Sequence, residues 1–282
     1  MSTIVINRTK GNDETLDFNK KTYIMGILNV TPDSFSDGGS YPTIEGAVER
    51  ARKMIQEGAD IIDIGGESTR PGSVKVSLSD ELERTIPVIE QLSKQIDAPI
   101  SIDTYKAEVA KQAIEAGAHI INDVWGAKAD PNMAKVAAHF QVPIILMHNR
   151  DNKNYRNLMK DITSDLMESI SIAKFAGVKD EQIILDPGIG FAKDFNMNIE
   201  VLQNLDQIVA LGYPVLLGTS RKSFIGQILD VPANERIEGT GATVCQGIIK
   251  GCHIMRVHDV VAISRMSKVM DVLVGKGGEE NR

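Results

Sequence analysis

Two aspartates in this sequence lie at the ends of apolar segments, where a carboxylate could bind a ligand. Asp103 and Asp186 each follow a short apolar run rich in isoleucine. A carboxylate in such a place enters a pocket with little water, where it needs a charged or hydrogen-bonding partner. A planar heterocycle with a guanidine-like edge would offer the two-pronged donor geometry of arginine. A structural ion pair with Arg256 or Lys222, or capping of the next helix, is the alternative for both aspartates.

A second set of residues has the chemistry of an anion site. Arg256 and His258 alternate with apolar residues, so a period of two places them on one face, and Arg70 and Asn29 follow two other runs. Arginine suits phosphate or diphosphate, and the amide oxygen of Asn29 is a hard ligand for Mg²⁺ held mainly through substrate oxygens. A salt bridge for Arg256, and a core hydrogen bond for His258, are the structural alternatives.

Lys222 lies in the segment 218–223, GTSRKS, whose chemistry stays open. Its amine can act as a charge, as a hydrogen-bond donor or as a Schiff-base nucleophile. The segment matches neither a Walker A loop nor a nucleophile elbow. The G-x-G in 186–191 lacks the strand-turn-helix context of a dinucleotide site, which excludes NAD.

The pattern of the whole chain predicts the elements that position these side chains. Apolar, β-branched runs predict strands, and stretches with helical spacing lie between them, often closed by glycine. The predicted strands are 23–30, 60–66, 99–104, 119–124, 142–148, 183–187, 214–220 and 254–258. The predicted helices include 44–57, 79–95, 106–116, 158–176, 198–211 and 242–250.

Eight alternations of strand and helix predict an α/β fold, a single (β/α)₈ TIM barrel over 1–282, with a doubly wound open sheet as the alternative. Residues 1–22 are expected to form a β-hairpin cap, and 275–282 a polar tail. Active sites of such barrels lie at the carboxyl ends of the strands. Ser101, Asp103, Asp186, Arg256 and His258 should therefore point inward.

Two segments, 31–43 and 67–78, are long for strand-to-helix connections and are rich in glycine, proline and serine. Loops of this size at the catalytic end of a barrel often close over substrate, although disordered insertions are the alternative. Phe35 in the first segment and Pro71 in the second are placed to wall an aromatic substrate.

Composition bounds the classes of function. The 282 residues carry a net charge of −7, with 42% hydrophobic and 24% charged residues, which excludes disordered and collagen-like classes. Net acidity without a basic run argues against nucleic acid as a partner. Neither a membrane span nor a signal peptide is indicated, so a cytoplasmic location is expected. The spacing of Cys245 and Cys252 fits neither a disulfide framework nor a metal site.

The motifs taken together resemble the dihydropteroate synthase family. In chain order they are GILNVTPDSFSDGG at 26–39, DIGGESTRPG at 63–72, SIDT at 101–104, INDV at 121–124, LDPGIGF at 185–191, GTSRKS at 218–223 and RVHD at 256–259. The resemblance covers roughly 22–273, with no departure at a position that the family uses.

The resemblance implies a transferase that joins 4-aminobenzoate to (7,8-dihydropterin-6-yl)methyl diphosphate, giving 7,8-dihydropteroate and diphosphate for folate synthesis. It also implies Mg²⁺ as cofactor, competition by sulfonamides and a homodimer. In the implied mechanism diphosphate leaves first, and the arylamine attacks a pterin methylene cation. The alternatives are a methyltetrahydrofolate-dependent methyltransferase, a non-catalytic pterin-binding regulator and a Schiff-base aldolase that uses Lys222.

The resemblance also implies roles for individual residues. The implied pterin contacts are Asp103, Asn122, Asp186 and Lys222, with Met147 and Phe191 as apolar walls. Asn29 corresponds to the Mg²⁺ ligand, and the residues that hold diphosphate are Thr69, Arg70, Arg256 and His258. Phe35, Pro71 and Ser223 would frame the 4-aminobenzoate pocket. The residues implied in catalysis are Asp37, which helps to fix the loops, and Asp103, Asp186, Lys222 and Arg256.

Overall fold

Short apolar runs form a closed parallel sheet in the computed structural model, which describes residues 3–6, 13–31, 43–67 and 75–277. The strands of this sheet are β3 (Tyr23–Asn29), β4 (Ile61–Gly65), β5 (Ile100–Asp103), β6 (Ile120–Asp123), β7 (Ile144–Met147), β8 (Ile183–Asp186), β9 (Leu216–Leu217) and β10 (Ile254–Val257). Over the described residues their order is β8-β7-β6-β5-β4-β3-β10-β9. A parallel bridge between Leu185 and Val215 joins the two ends of this order, which excludes the open sheet.

Helices cover the outer face of the barrel. In the described ranges they are α1 (Ile44–Gln56), α2 (Leu78–Gln95), α3 (Ala107–Ala116), α4 (Met133–Phe140), α5 (Leu158–Phe175), α6 (Phe195–Gln203), α7 (Leu205–Val209), α8 (Ser223–Leu229), α9 (Ile237–Ile249) and α10 (Val260–Leu273). Apolar residues at helical spacing, such as Val48 and Ala51 of α1, pack in one core with the outward strand residues Ile62 and Ile64. The predicted (β/α)₈ barrel is confirmed.

Some element boundaries differ from the prediction. The predicted helix 198–211 is two helices, α6 and α7, which meet at Asn204, whose side chain donates to the Glu200 carbonyl at 2.8 Å and competes with the backbone. Helix α9 begins before 242 because glycines there allow close packing. A Cβ on Gly241 would lie 2.4 Å from the Met266 sulfur of α10. The predicted strand 214–220 is reduced to Leu216–Leu217.

The predicted N-terminal hairpin is present, and it closes the amino-terminal end of the barrel. Its strands β1 (Thr3–Ile6) and β2 (Glu14–Asp17) pair antiparallel. The side chains that form the apolar plug are Ile4, Ile6, Leu16, Phe18, Tyr23, Met25, Ile61, Ile120, Ile145, Ile184, Leu216 and Ile254. The Phe18 ring packs edge-on against His253, with ring centroids 5.0 Å apart.

The end of the chain is fastened to the same end of the barrel. The Thr22 N–H and hydroxyl donate to the Asp271 carboxylate at 2.8 and 2.6 Å. Lys276 donates to the Thr22 hydroxyl at 2.9 Å, and the Gly277 N–H donates to the Asn19 carbonyl at 3.0 Å. The first residues of the predicted polar tail thus bind the barrel, and 278–282 lie outside the described residues.

The predicted alternation of strand side chains is confirmed. Ile100 and Ile102 belong to the outer core, whereas Asp103 reaches Arg256 across the barrel interior. On β8, Ile183 and Leu185 face the helices, so Asp186 faces inward with Ile184. Over the described ranges, no helix has the length and apolar character needed to span a bilayer.

Candidate active site

Arg256 of β10 lies between two carboxylates at the carboxyl end of the barrel. Its Nε donates to Oδ2 of Asp63 on β4 at 2.6 Å, and its Nη2 donates to Oδ2 of Asp103 on β5 at 2.6 Å. Asn122 of β6 donates to the same Asp63 oxygen at 3.2 Å. The structural ion pair foreseen for Asp103 and Arg256 is therefore present, and it fixes both side chains at the mouth of the barrel.

Two carboxylates share this one guanidinium, and both are buried. Burial raises the pKa of Asp103 to about 7, Arg256 opposes the shift, and the neighbouring Asp63 adds to it. Oδ1 of Asp63 and Oδ1 of Asp103 are buried and have no hydrogen-bond partner among the described residues. Buried acceptors of this kind are normally satisfied. The floor of the site is therefore suited to a ligand that supplies N–H donors.

Asp186 ends β8 on the inner face and is 6% exposed. Its Oδ1 accepts the Gly188 N–H at 2.7 Å. Burial raises the pKa of Asp186, whereas the Gly188 N–H and the charge of Lys222 lower it. Gly188 has a φ of +66°, and a Cβ there would lie 1.9 Å from the His148 carbonyl oxygen. Only glycine allows the turn to pass this close to the end of β7 and reach Asp186.

Lys222 and Phe191 meet above Asp186. The Lys222 ammonium lies 4.3 Å from the centroid of the Phe191 ring, a cation–π contact. The Lys222 side chain also runs along Gly190, where a Cβ would approach its Cδ to 3.0 Å. A narrow recess is lined here by Asn122, Val124, Met147, Asp186, Ile189, Phe191, Gly218, Lys222 and Arg256. An apolar wall, a cation and buried carboxylates thus surround one space.

A cavity of about 340 Å³ adjoins this recess. The two spaces share Gly218, Lys222 and Arg256, and Asn29 and Ser223 also line the cavity. His258 lines it as well, although its Nδ1 lies 2.9 Å from the Ser220 hydroxyl oxygen, which also accepts the His258 N–H at 3.1 Å. The hydrogen-bonded alternative for His258 is therefore observed together with its place beside the cavity.

The structure brings most of the predicted site residues together. Those that line the recess or the cavity are Asn29, Asp103, Asn122, Met147, Asp186, Phe191, Lys222, Ser223, Arg256 and His258. The others lie outside the described residues, and they are Phe35, Asp37, Thr69, Arg70 and Pro71. The roles of all of them toward a ligand stay predictions.

Comparison with known proteins decides the family. Residues 25–258 match the model of pterin binding enzymes. The chain is 61% identical to a dihydropteroate synthase of Bacillus subtilis (strain 168), over 93% of this chain and 92% of that protein. The chain belongs to the dihydropteroate synthase family of pterin-binding enzymes.

Solved structures of the family agree with this assignment. A Clostridium difficile dihydropteroate synthase, crystallised in the presence of pteroic acid, matches with a TM-score of 0.89 and 52% identity, covering 91% of this chain and 98% of that one. A Xanthomonas albilineans dihydropteroate synthase with 4-aminobenzoic acid matches with a TM-score of 0.90 and 39% identity, covering 96% of this chain and 98% of that one. The similarity extends over nearly the full length of each relative.

Sequence reasoning gave no role to several polar residues around this dihydropteroate synthase site. Asp63 alternates with the outward-facing Ile62 and Ile64, and this signal alone would have placed it inside. Lys193 offered no such signal, because it follows Phe191 in a loop. It is nevertheless 5% exposed and contacts the turn below Asp186.

The residues present fit a metal that is held mainly by substrate. Over the described residues, no group of three His, Cys, Asp or Glu side chains is arranged to hold an ion. Asn29 Oδ1 lies 3.7 Å from the position of a Cβ on Gly65, beside Asp103 at the cavity. A single amide oxygen is a weak site by itself, and it suits an Mg²⁺ that keeps phosphate and water oxygens as its other ligands.

Proposed function

We propose that this chain is a dihydropteroate synthase, which joins 4-aminobenzoate to (7,8-dihydropterin-6-yl)methyl diphosphate and releases diphosphate. The observation that carries the proposal is the buried set at the barrel mouth: Asp103 and Asp186, with Arg256 beside an open cavity. Membership of the family supports the same activity. The cytoplasmic location and the single-domain organisation over 1–282 remain predictions from the sequence.

The pterin ring belongs in the recess. Its amino-pyrimidinone edge carries adjacent N–H donors, which match a buried carboxylate such as that of Asp186. Asp186 Oδ2 lies 4.0 Å from the position of a Cβ on Gly218, so the lack of a side chain there favours the approach of a planar ring. Asn122 and Lys222 are placed to contact the ring edge, and Met147 and Phe191 to wall its faces.

The diphosphate belongs in the adjoining cavity. Arg256 donates to Asp63 and Asp103 through Nε and Nη2, and its fork retains further N–H donors for a phosphate oxygen. His258 and Asn29 line the same space, and Thr69 and Arg70 complete the predicted set from outside the described residues. Mg²⁺, held by Asn29 and the diphosphate, would neutralise charge on the leaving group.

The proposed reaction uses this division of the site. The carbon–oxygen bond to diphosphate breaks first, because the electron-rich dihydropterin stabilises the methylene cation that remains. Asp103 and Asp186 favour that cation, while Arg256 favours the departing anion. The arylamine nitrogen then forms the new bond and releases one proton. It is neutral near pH 7, so we assign no general base.

The second substrate enters from the loop side. Ser223 begins α8 at the edge of the cavity, where it can contact 4-aminobenzoate. We propose that Phe35 and Pro71 contact the ring of that substrate and that Asp37 helps to fix the loop around it. Sulfonamides would bind in the same pocket and so compete with 4-aminobenzoate. Closed loops would keep water from the cation.

A product assay tests this function. Purified protein receives Mg²⁺ and the dihydropterin diphosphate, with and without 4-aminobenzoate, and diphosphate release is measured while the pterin product is identified by mass. Formation of dihydropteroate only with 4-aminobenzoate is the expected result. Pterin binding without product would favour a regulator, and methyl transfer from methyltetrahydrofolate would favour the methyltransferase.

We also propose a homodimer formed through helices on one side of the barrel. Helices α9 and α10 pack together and expose large apolar side chains, with Ile249 61%, Val269 61% and Leu273 72% exposed. Sedimentation equilibrium should give twice the 30.8 kDa chain mass, and Val269→Lys should shift it toward the monomer. A monomer at all concentrations would contradict the proposal.

A further inference from the structure

Lys193 is a buried lysine that the proposed chemistry does not use. It is 5% exposed, and its ammonium donates to the carbonyl oxygens of Gly188 at 2.9 Å and Phe191 at 3.1 Å. It also lies 2.9 Å from Nδ1 of His148. A buried ammonium is costly unless its donors are used, and these partners match its donor geometry. Each of the three N–H donors of the protonated Lys193 amine therefore has a partner.

His148 is held so that it can accept from this ammonium. Its Nε2 lies 3.1 Å from Oδ2 of Asp165, an oxygen that also accepts from Arg150 Nε. Because the carboxylate accepts a hydrogen bond from Nε2–H, the proton of the neutral ring is on Nε2, and Nδ1 is the acceptor toward Lys193. Burial and the Lys193 charge lower the pKa of His148 to about 3, which keeps the ring neutral. A chain of hydrogen bonds thus runs from the protein surface to the interior through Arg150, Asp165, His148 and Lys193.

The carbonyls that Lys193 binds belong to the turn that shapes the pterin recess. The Gly188 N–H of this turn donates to Asp186, and the Phe191 ring faces Lys222. Burial lowers the pKa of Lys193 to about 7 and raises the pKa of Asp186, and the two groups oppose these shifts in each other. A displaced turn would move both the wall and the carboxylate anchor of the recess.

We propose that Lys193 is a positioning residue for pterin binding: oriented by His148 and Asp165, it holds the 188–191 turn so that Asp186 and Phe191 keep their places. The proposal rests on the proposed function, because the ligand concerned is the pterin. Lys193 touches no reacting atom. It sets the affinity of the recess and leaves the arylamine side of the site unchanged.

Lys193→Met tests the proposal, because it keeps the length of the side chain and removes its donors and charge. Calorimetry with 6-hydroxymethyl-7,8-dihydropterin should show affinity at least tenfold weaker than for the wild type. Steady-state assays should show a higher KM for the pterin diphosphate and an unchanged KM for 4-aminobenzoate. Lys174→Met is the matched control, since that lysine is exposed and bonds Asp180 at the surface, and it should match the wild type.

Equal pterin affinity in Lys193→Met and the wild type would overturn the proposal, and so would equal increases in both KM values. If Lys193→Met does not fold by circular dichroism, Asp165→Asn carries the test, because its carboxylate lies near the surface and is 20% exposed. It should show the same split between the two KM values with a smaller amplitude, and an unchanged pterin KM would then overturn the proposal. Failure of the wild type itself to bind pterin would instead reject the proposed function.

Discussion

The two ends of this barrel are built from the same strands and have opposite chemistry. At the amino-terminal end the inward side chains are apolar and pack under the hairpin. Two histidines there bind the backbone: His253 Nδ1 accepts the Val215 N–H at 3.0 Å, and His119 Nδ1 accepts the Ile100 N–H at 3.2 Å. At the carboxyl end Arg256 and buried carboxylates face a cavity.

On four of the described strands the change from apolar to polar occurs within one step along the inner face. Two residues after an inward isoleucine comes a polar side chain, and the pairs are Ile61 with Asp63, Ile120 with Asn122, Ile184 with Asp186, and Ile254 with Arg256. The polar layer carries unsatisfied oxygens that cost stability, and the apolar layer directly below it offsets that cost. The apolar layer therefore contributes stability, and the polar layer provides the groups for binding.

Ile184→Ala, in the apolar layer, should cause the largest loss of stability among these variants. Ile184 is fully buried in the plug, and its truncation leaves a cavity, so the free energy of unfolding should fall by about 3 kcal/mol. Urea denaturation measures this loss. Pterin affinity measured below the transition should stay within about twofold, because Asp186 keeps its bond to Gly188. A large loss of affinity would show that the layers are not independent.

Asp186→Asn should break the upper layer on the same strand. The amide keeps the shape and loses the charge that pairs with the pterin donors, so calorimetry should show binding weaker by about 100-fold, or about 3 kcal/mol. Stability should hold or rise, because burial already raises the pKa of this carboxyl. Unchanged pterin affinity would reject Asp186 as the anchor.

The pH dependence of stability sharpens the comparison further. Burial raises the pKa of Asp103 to about 7, above its value in the unfolded chain, so this group stabilises the fold at low pH. Its contribution is lost as the pH rises from about 4 through 7. Asp103→Asn should flatten that part of the profile in urea titrations. Asp123, whose pKa burial raises to about 6, contributes in both proteins and cancels in the difference.

The polar layer was largely predictable, because period-two alternation records both faces of a strand. Around Asp103 and Asp186 the flanking isoleucines and leucines mark the outer face, and the aspartates then fall inside. Arg256 and His258 follow in the same way. The barrel fold was predictable from the eight strand–helix alternations, and this count does not depend on the exact ends of any one element.

Contacts between loops were not predictable in this way. Lys193 meets His148 only because two loops fold over each other, and no local period records such a contact. Helix α9 was partly hidden by Gly239 and Gly241, which weaken the helical pattern while allowing α8 and α10 to pack closely. A local sequence pattern shows which face of an element is buried. The Lys193–His148 contact and the packing of α9 depend instead on neighbouring elements, which no local pattern shows.

Thr22→Val should have the smallest effect, and it tests whether the lower end contributes stability alone. The change removes the hydroxyl that donates to Asp271 and accepts from Lys276, and it keeps the backbone donor and the volume. The free energy of unfolding should fall by about 2 kcal/mol, because two hydrogen bonds are lost and each contributes about 1 kcal/mol net. Turnover with both substrates should equal that of the wild type, because Thr22 immediately precedes β3 at the end opposite the cavity. A loss of turnover without a loss of stability would mean that the clamp at the lower end also acts on the site at the upper end.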